Sequence, residues 1–289
     1  MKITKALITA ASPDQRKLPL QTLIDRDRKQ RTVLEILINE IRSAGIEEIG
    51  IVIQKQDKKR FREVMQLSSI SGIEFIPQID KRGYGQAFLS ASDFIGKEPF
   101  LHLVGDHLYV NRTGENVAKQ LIEMAEKHKC AISTVQRTRE NRIGNYGTIK
   151  AERIQNESQL FKVNSVKEKP SPTYAEQHLM VPGLRAGYYL CFYGMHVLTP
   201  QIIELLEQRE QKFPNETLGL SEALNELAKK NKYLALERND SHFDIGIDYG
   251  LLKAQLALSL SGKDRDYLLS ELLQFFVEKD LNNKENCNE

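Results

Sequence analysis

The sequence predicts an α/β fold: a doubly wound, mainly parallel (Rossmann-like) sheet with an inserted antiparallel hairpin lobe and C-terminal helices. In the first half of the chain, short apolar runs alternate with segments of helical periodicity. Past residue 140, short apolar stretches are separated by Asn and Gly turns. The alternating part predicts parallel strands with right-handed crossovers. Ligands of such sheets bind beyond the carboxyl ends of the strands, so residues that follow a strand are the first site candidates.

The first strand, predicted at residues 6–10, is followed by a polar segment over residues 12–31. Loops beyond about 12 to 15 residues inside a compact domain are usually functional, so we expect chemistry in this segment. The helix after it is marked by the capping-box spacing of Thr32 and Glu35, and Gly45 can end it.

The remaining elements follow the same patterns and divide the chain. Further strands are predicted at residues 49–53, 73–77, 100–104, 131–136 and 233–237, and helices at 57–67, 86–94, 115–127, 200–208, 218–229, 249–260 and 267–277. Antiparallel hairpins are predicted within residues 144–169. We therefore expect one domain over residues 1–260 with a lobe at about 140–200 inside it, a C-terminal helix at 261–277 and a disordered tail at 278–289.

Composition excludes several classes of protein. The 41 basic and 39 acidic side chains nearly cancel, so no long-range field attracts nucleic acid or an anionic membrane. No apolar run approaches the roughly 20 residues of a membrane span. Cys130, Cys191 and Cys287 are odd in number and far apart, which argues against a disulfide framework and a structural zinc site. We expect a cytoplasmic protein without nucleic-acid or membrane partners.

Four short motifs follow one another along the chain. They are Gln78 followed after four residues by Gly83-Tyr84-Gly85-Gln86-Ala87, then Gly105-Asp106-His107, Lys167-Glu168-Lys169-Pro170 and Phe243-Asp244-Ile245-Gly246. In this order they resemble the sugar-1-phosphate nucleotidyltransferase family, and most closely its bacterial UTP–glucose-1-phosphate uridylyltransferases. The resemblance runs over about residues 5–260.

For the first motif, the resemblance implies recognition of the base by the Gln78 amide and the Gly83 backbone, with Gly85 opening the next helix. The residue types suit that chemistry. An amide donates and accepts hydrogen bonds at once, which matches the imide edge of a pyrimidine, and glycines let the backbone approach a flat base. Gln78 serves thymine as well as uracil, so the choice of base stays open.

The resemblance also implies a Mg²⁺ site formed by Asp106 and Asp244. Mg²⁺ usually takes one or two carboxylates and leaves its other positions to phosphate and water. His107 stands where many relatives have another Asp, and we interpret it as a polar neighbour rather than a ligand. Asp248 stands near a position where close uridylyltransferases have Lys.

Sugar contacts are implied at the third motif and at two glycines. In relatives, the residue matching Glu168 accepts hydrogen bonds from sugar hydroxyls, and the residue matching Lys169 pairs with the sugar phosphate. Gly147 and Gly194 resemble glycines whose backbone lies against the hexose. Because backbone contacts say little about hydroxyl stereochemistry, the identity of the sugar stays open.

The sequence departs from the family in its first loop. Relatives carry a Gly-rich stretch ending in Gly-Thr-Arg and, later, a Pro-Lys whose Lys holds phosphate. Here Ala10 and Ala11 precede a segment without glycines, Arg16 matches the family's Arg, and Leu20 replaces the Lys after Pro19. The cations available to take over the phosphate contact are Lys17, Lys29 and Arg31.

The predicted function is Mg²⁺-dependent transfer of a nucleotidyl group from a nucleoside triphosphate to a hexose-1-phosphate, giving a nucleotide sugar and pyrophosphate. The favoured substrates are UTP and glucose-1-phosphate. Arg16 and Lys17 would hold the triphosphate beside Ala10 and Ala11. The alternative is a nucleotide-sugar binding or regulatory homologue that has lost turnover with its loop glycines. The C-terminal helices lie where relatives often place a subunit interface, so a homo-oligomer is possible.

Overall fold

The computed structural model describes residues 1–12, 16–68, 70–80, 82–110 and 115–285, with side chains to residue 278. Its strands are β1 (Lys5–Thr9), β2 (Thr22–Ile24), β3 (Gln30–Thr32), β4 (Glu48–Ile53), β5 (Ile73–Pro77), β6 (Phe100–Val104), β7 (His107–Val110), β8 (Ala131–Arg139), β9 (Thr148–Arg153), β10 (Leu160–Lys167), β11 (Tyr188–Leu198), β12 (Tyr233–Glu237) and β13 (Ser241–Asp244). Its helices are α1 (Val33–Ser43), α2 (Lys58–Leu67), α3 (Gly85–Ser90), α4 (Ser92–Ile95), α5 (Val117–His128), α6 (Pro172–His178), α7 (Gln201–Lys212), α8 (Leu220–Lys230), α9 (Gly250–Leu260) and α10 (Arg265–Glu285). The predicted α/β class is confirmed.

One nine-stranded sheet organises the molecule, in the order β5-β4-β1-β6-β11-β8-β12-β10-β9. The four strands β5, β4, β1 and β6 are parallel, as the alternating pattern predicts. Strand β11 runs antiparallel to both β6 and β8, while β12 is parallel to β8. The predicted hairpin is β9–β10, which extends the same sheet beside β12.

Both faces of the sheet are buried. In β1, Ala6 and Ile8 belong to a core that includes α1 and α5, whereas Leu7 belongs to a second core that includes α3, α7 and α8. Successive side chains of a strand point to opposite faces, so the two cores lie on the two sides of the sheet. Helices on both faces are what the doubly wound prediction requires.

Several elements differ from the prediction. The segment over residues 12–31 contains a 3₁₀ turn at Leu18–Leu20 and the hairpin β2–β3, so it is not a simple loop. The helix predicted at residues 86–94 is broken at Ala91 into α3 and α4. Helix α10 continues to Glu285, past the predicted start of the tail at residue 278, and residues 286–289 lie outside the described part. Within the described residues, no helix combines the length and the apolar character needed to cross a bilayer.

Candidate active site

Two cavities open at the carboxyl ends of the parallel strands and share a wall. The first has a volume of about 270 Å³ and the second of about 540 Å³. Tyr84, Val104 and Asp106 line both. Asp106 is separated from the end of β6 by Gly105 alone. A predicted site residue therefore stands where the cavities meet.

The first cavity is lined by the start of the first loop and by the motif that begins at Gln78 and continues at Gly83. Ala10, Ala11, Gln78 and Gly83 line it, as the sequence predicts. Gln78 Nε2 donates to the carbonyl oxygen of Asp80 at 2.7 Å, which fixes the plane of the amide. The cavity thus brings together Gly83, Gln78 and the two alanines from the segments that follow β1 and β5.

Gly85 is not among the residues that line this cavity. Its backbone N–H donates to the carbonyl oxygen of Leu218 at 2.7 Å, and an added Cβ would lie 2.8 Å from side-chain carbons of Leu206 and Leu218. In the structure Gly85 therefore allows α3 to pack closely against the segment before α8.

The two cations of the first loop that the sequence predicts to bind triphosphate, Arg16 and Lys17, lie outside both cavities. Arg16 Nη1 lies 3.5 Å from Asp57 Oδ2, and Lys17 is exposed; neither residue lines either cavity. Leu20 packs against the core, while Pro19 is buried and lines the first cavity. The loop residues 13–15 lie outside the described part.

The two predicted metal ligands face each other across a small ladder. Strand β13 pairs antiparallel with β7, which sets Asp244 opposite His107 and next to Asp106. Burial raises the pKa of Asp106; nearby His107 opposes this shift, and the charge of Asp244 adds to it. Two carboxylates at one point are sufficient for Mg²⁺.

The second cavity contains the predicted sugar residues Gly147, Glu168, Lys169 and Gly194, together with Asp106 and Asp244. Ser221 Oγ donates to Glu168 Oε2 at 2.5 Å. An added Cβ on Gly147 would lie 2.7 Å from the Phe192 ring and 3.1 Å from Glu168 Oε2, so the absence of a side chain there makes room for the carboxylate.

The charge of the second cavity is unbalanced. Its described lining includes four carboxylates and one ammonium group, which belong to Asp106, Glu168, Glu222, Asp244 and Lys169. An anionic substrate would meet strong repulsion there unless a cation were bound. Asp248 adds nothing to this charge, because it is exposed and lines neither cavity.

Sequence reasoning missed several residues of the site. Gln54 is buried and its Nε2 donates to the carbonyl oxygen of Ala11 at 2.6 Å, which holds the start of the loop. Tyr84 Oη lies 2.9 Å from Thr9 Oγ1 and 3.0 Å from His102 Nε2. Gln54 directly follows the predicted strand at residues 49–53, and Tyr84 stands between Gly83 and Gly85; these placements were the available signals.

Comparison with known proteins found a matching family model and several relatives. A family model described as "Nucleotidyl transferase" matches residues 21–259, beginning just after Leu20. The chain is 29% identical over 286 residues to UTP–glucose-1-phosphate uridylyltransferase 2 of Streptococcus pyogenes, covering 90% of this chain and 91% of that protein. It is 27% identical over 277 residues to the UTP–glucose-1-phosphate uridylyltransferase of Pseudomonas aeruginosa, covering 87% and 94%.

The fold is also similar to that of solved structures. One is a UTP-bound UGPase from Acinetobacter baumannii, with a TM-score of 0.71 and 22% identity over 94% of this chain and 99% of that one. At this level of identity the likeness concerns the fold alone.

Proposed function

Because the chain belongs to the nucleotidyl transferase family, we propose that it transfers a uridylyl group from UTP to glucose-1-phosphate, giving UDP-glucose and pyrophosphate. The relatives from S. pyogenes and P. aeruginosa, which bear the names of these substrates, support this choice. The observation that carries the proposal is the sharing of Asp106 by the two cavities. A nucleotide in the first cavity and a sugar phosphate in the second would meet at this carboxylate.

The reaction needs no nucleophilic side chain. An oxygen of the sugar phosphate attacks the α-phosphorus of UTP, and a new P–O bond forms while the bond from the α-phosphorus to the bridging β-oxygen breaks. Pyrophosphate leaves with that electron pair. The protein contributes position and charge neutralisation, which together account for much of the catalysis of such displacements.

On the nucleotide side, Gln78 and Gly83 recognise the base. Since Gln78 Nε2 is held by the carbonyl oxygen of Asp80, Oε1 accepts the imide N–H of uracil in this proposal. Arg16 and Lys17 hold the triphosphate, because they lie just before Pro19, which lines the first cavity. This requires Arg16 to exchange its partner Asp57 for phosphate.

On the sugar side, Glu168 accepts hydrogen bonds from hydroxyl groups and Lys169 pairs with the phosphate. Asp106 and Asp244 would hold Mg²⁺, which fits the excess of carboxylates in the described lining of the second cavity. When bound, Mg²⁺ neutralises phosphate charge and makes the phosphorus more electrophilic. Gly147 and Gly194 line the same cavity, and in this proposal their backbone lies against the hexose.

A second candidate is a nucleotide-sugar binding protein without turnover. The observation that favours it is the first loop, where Leu20 packs into the core and Arg16 is paired with Asp57. Losing one well-placed phosphate donor can lower a rate by about a hundredfold or more.

Pyrophosphate release distinguishes these functions. Purified protein with Mg²⁺ is assayed with UTP, dTTP, CTP, ATP and GTP against glucose-, galactose-, N-acetylglucosamine- and mannose-1-phosphate. We expect release with UTP and glucose-1-phosphate, dependent on both and on Mg²⁺. No release from any pair, by protein that still binds UDP-glucose, would support the binding protein instead.

We further propose that the chain acts in the cytoplasm, where these substrates occur, and that it forms a homo-oligomer. The second point rests on exposed apolar side chains of α10, which include Tyr267, Leu273, Phe275 and Phe276. Large apolar side chains left exposed to this extent on one helix favour burial in a protein contact.

A further inference from the structure

His107 faces both proposed metal ligands. It follows Asp106 directly, pairs with Asp244 across β7 and β13, and lines the second cavity. Its Nε2 lies 4.0 Å from Asp106 Oδ1 and 3.9 Å from Asp244 Oδ2. These distances are too long for hydrogen bonds, so the ring edge points into the space between the carboxylates.

The same distances indicate that His107 would not coordinate a metal ion held by the two carboxylates. With Mg²⁺–oxygen bonds of about 2.1 Å, neighbouring ligands of an octahedral ion lie about 3 Å apart. His107 Nε2 is farther than that from both carboxylate oxygens. Within the described residues, no group of three or more His, Cys, Asp or Glu side chains has the arrangement of a metal site. If the two carboxylates held a metal ion, Nε2 would therefore be available to oxygen atoms of a bound ligand rather than to the ion itself.

A chain of hydrogen bonds fixes which nitrogen of His107 carries the proton. His242 Nε2 lies 2.8 Å from His107 Nδ1, and Gln136 Nε2 lies 3.5 Å from His242 Nδ1. An amide nitrogen can only donate, so His242 Nδ1 accepts and its one proton is on Nε2. His107 Nδ1 accepts that proton's hydrogen bond. His107 consequently carries its free N–H on Nε2, directed at the space between the carboxylates.

The surroundings hold both rings in place. An added Cβ on Gly194, whose φ is +84°, would collide with His107 Nδ1. The ring of His242 stacks on Tyr109, with centroids 5.8 Å apart, and lies 4.9 Å from the ring of Tyr193. Tyr109 Oη in turn donates to the carbonyl oxygen of Gly194 at 2.8 Å. The donor at His107 is therefore set in position before any ligand binds.

We propose that His107 donates a hydrogen bond from Nε2 to the phosphate of the sugar phosphate, and that His242 and Gln136 are positioning residues for this contact. The inference rests on the proposed function. A phosphate monoester is the ligand of choice because the N–H is directed toward the carboxylates that would hold Mg²⁺. The contact also adds a donor to a wall whose described residues include one ammonium group, that of Lys169.

The test compares glucose-1-phosphate binding by calorimetry in the presence of Mg²⁺. Removing the donor in His107→Leu is expected to weaken this affinity about tenfold to a hundredfold, in line with a hydrogen bond to a charged group. UTP affinity should change less than about twofold. His107→Asn keeps an N–H donor and should lose less, which guards against a misfolded Leu variant. His128→Gln, which lines neither cavity, serves as the matched control.

The positioning role has its own readout. In ¹⁵N spectra of the wild-type protein, we expect the Nε2–H form of His107, and its signal should shift on addition of glucose-1-phosphate but not of glucose. In His242→Phe, the ring remains but its hydrogen bond is lost. The proton of His107 should then distribute over both nitrogens, and glucose-1-phosphate affinity should fall less than in His107→Leu.

The outcomes separate this inference from the proposed reaction. Unchanged glucose-1-phosphate affinity in His107→Leu, with an active wild-type protein, would overturn the histidine contact alone. An inactive wild-type protein that binds glucose-1-phosphate and loses affinity in His107→Leu would contradict the reaction but support the contact. A wild-type protein that does not bind glucose-1-phosphate would contradict both.

Discussion

Gly83 carries a backbone constraint that the first cavity depends on. Its φ is +122°, and an added Cβ would lie 2.6 Å from the carbonyl oxygen of Leu218. On either side of it, Leu218 N–H donates to the carbonyl oxygen of Arg82 and Gly85 N–H donates to that of Leu218, both at 2.7 Å. The nearest obstacle is a backbone atom, so no rotation of a side chain relieves it.

At this scale we predict that Gly83→Ala lowers the free energy of unfolding by about 1 to 3 kcal/mol, the cost of a strained backbone position. The same change should weaken UTP binding, because residue 83 lines the first cavity. Urea unfolding and calorimetry measure the two effects.

Gly144→Ala is the matched control, because an added Cβ there meets nothing within 4 Å. Its free energy of unfolding should stay within about 0.5 kcal/mol of the wild-type value. Equal stability of the two variants would contradict the constraint at Gly83.

Single residues also show which parts of the site can be predicted from sequence. Gln78 and Asp106 stand in local motifs directly after strands, so the sequence predicts them, and the structure places both in the first cavity. The contact of His107 with His242 joins residues 135 positions apart. No local pattern encodes such a pair, because it follows from the pairing of β7 with β13.

Among the elements, α5 combines a local cap with a carboxylate from α1 at its N-terminus. Glu40 in α1 accepts a hydrogen bond from the backbone N–H of Ala118, and Asn116 accepts one from Lys119 N–H. Burial raises the pKa of Glu40 above its ordinary value of 4.5, although the backbone hydrogen bonds of Ala118 and Val117 oppose the shift.

This shift predicts a pH dependence of stability. Because its pKa is raised in the folded state, Glu40 contributes stability that is fully present below pH 4.5 and is lost as the pH rises through the folded value. Glu40→Gln keeps an acceptor for α5 and removes the titration. We expect the variant to become more stable relative to the wild-type protein as the pH rises from 4 to 7. Urea unfolding measures the two free energies of unfolding at each pH. A difference that does not change with pH would contradict the raised pKa.

The elements that sequence predicts are those with local signals. Helix α1 has the predicted capping box, with Thr32 and Glu35 each accepting from the other's backbone N–H. Strand β11 was missed because Gly194 and His196 interrupt its apolar run. Its ladder with β8 shifts register between Phe192 and His196, a bulge that depends on its neighbours in the sheet.

At the scale of the whole molecule, β11 joins the parallel strands that end in the first cavity to the mixed part that carries the second. The proposed substrates would therefore approach from two halves of one continuous sheet. Helices α9 and α10 lie at the end of the chain, and α10 exposes Leu273, Phe275 and Phe276 by more than half of their surface, at 56%, 57% and 57%.

We predict that these side chains form an interface between copies of the chain. Light scattering should give a wild-type mass that is a multiple of 33.1 kDa, and Phe275→Glu should reduce it to a monomer by placing a charge in an apolar contact. Leu67→Glu is the control, since Leu67 is 87% exposed on α2, away from α10. A monomeric wild-type protein would contradict the proposed interface but not the proposed reaction.

In the proposed function, the two cavities form one transferase site at Asp106. This is tested by the turnover of Asp106→Asn with UTP, glucose-1-phosphate and Mg²⁺, beside UTP affinity measured without metal. We expect turnover to fall by about a hundredfold or more, while metal-free UTP affinity stays within about threefold of the wild-type value. Turnover close to that of the wild-type protein would contradict the claim.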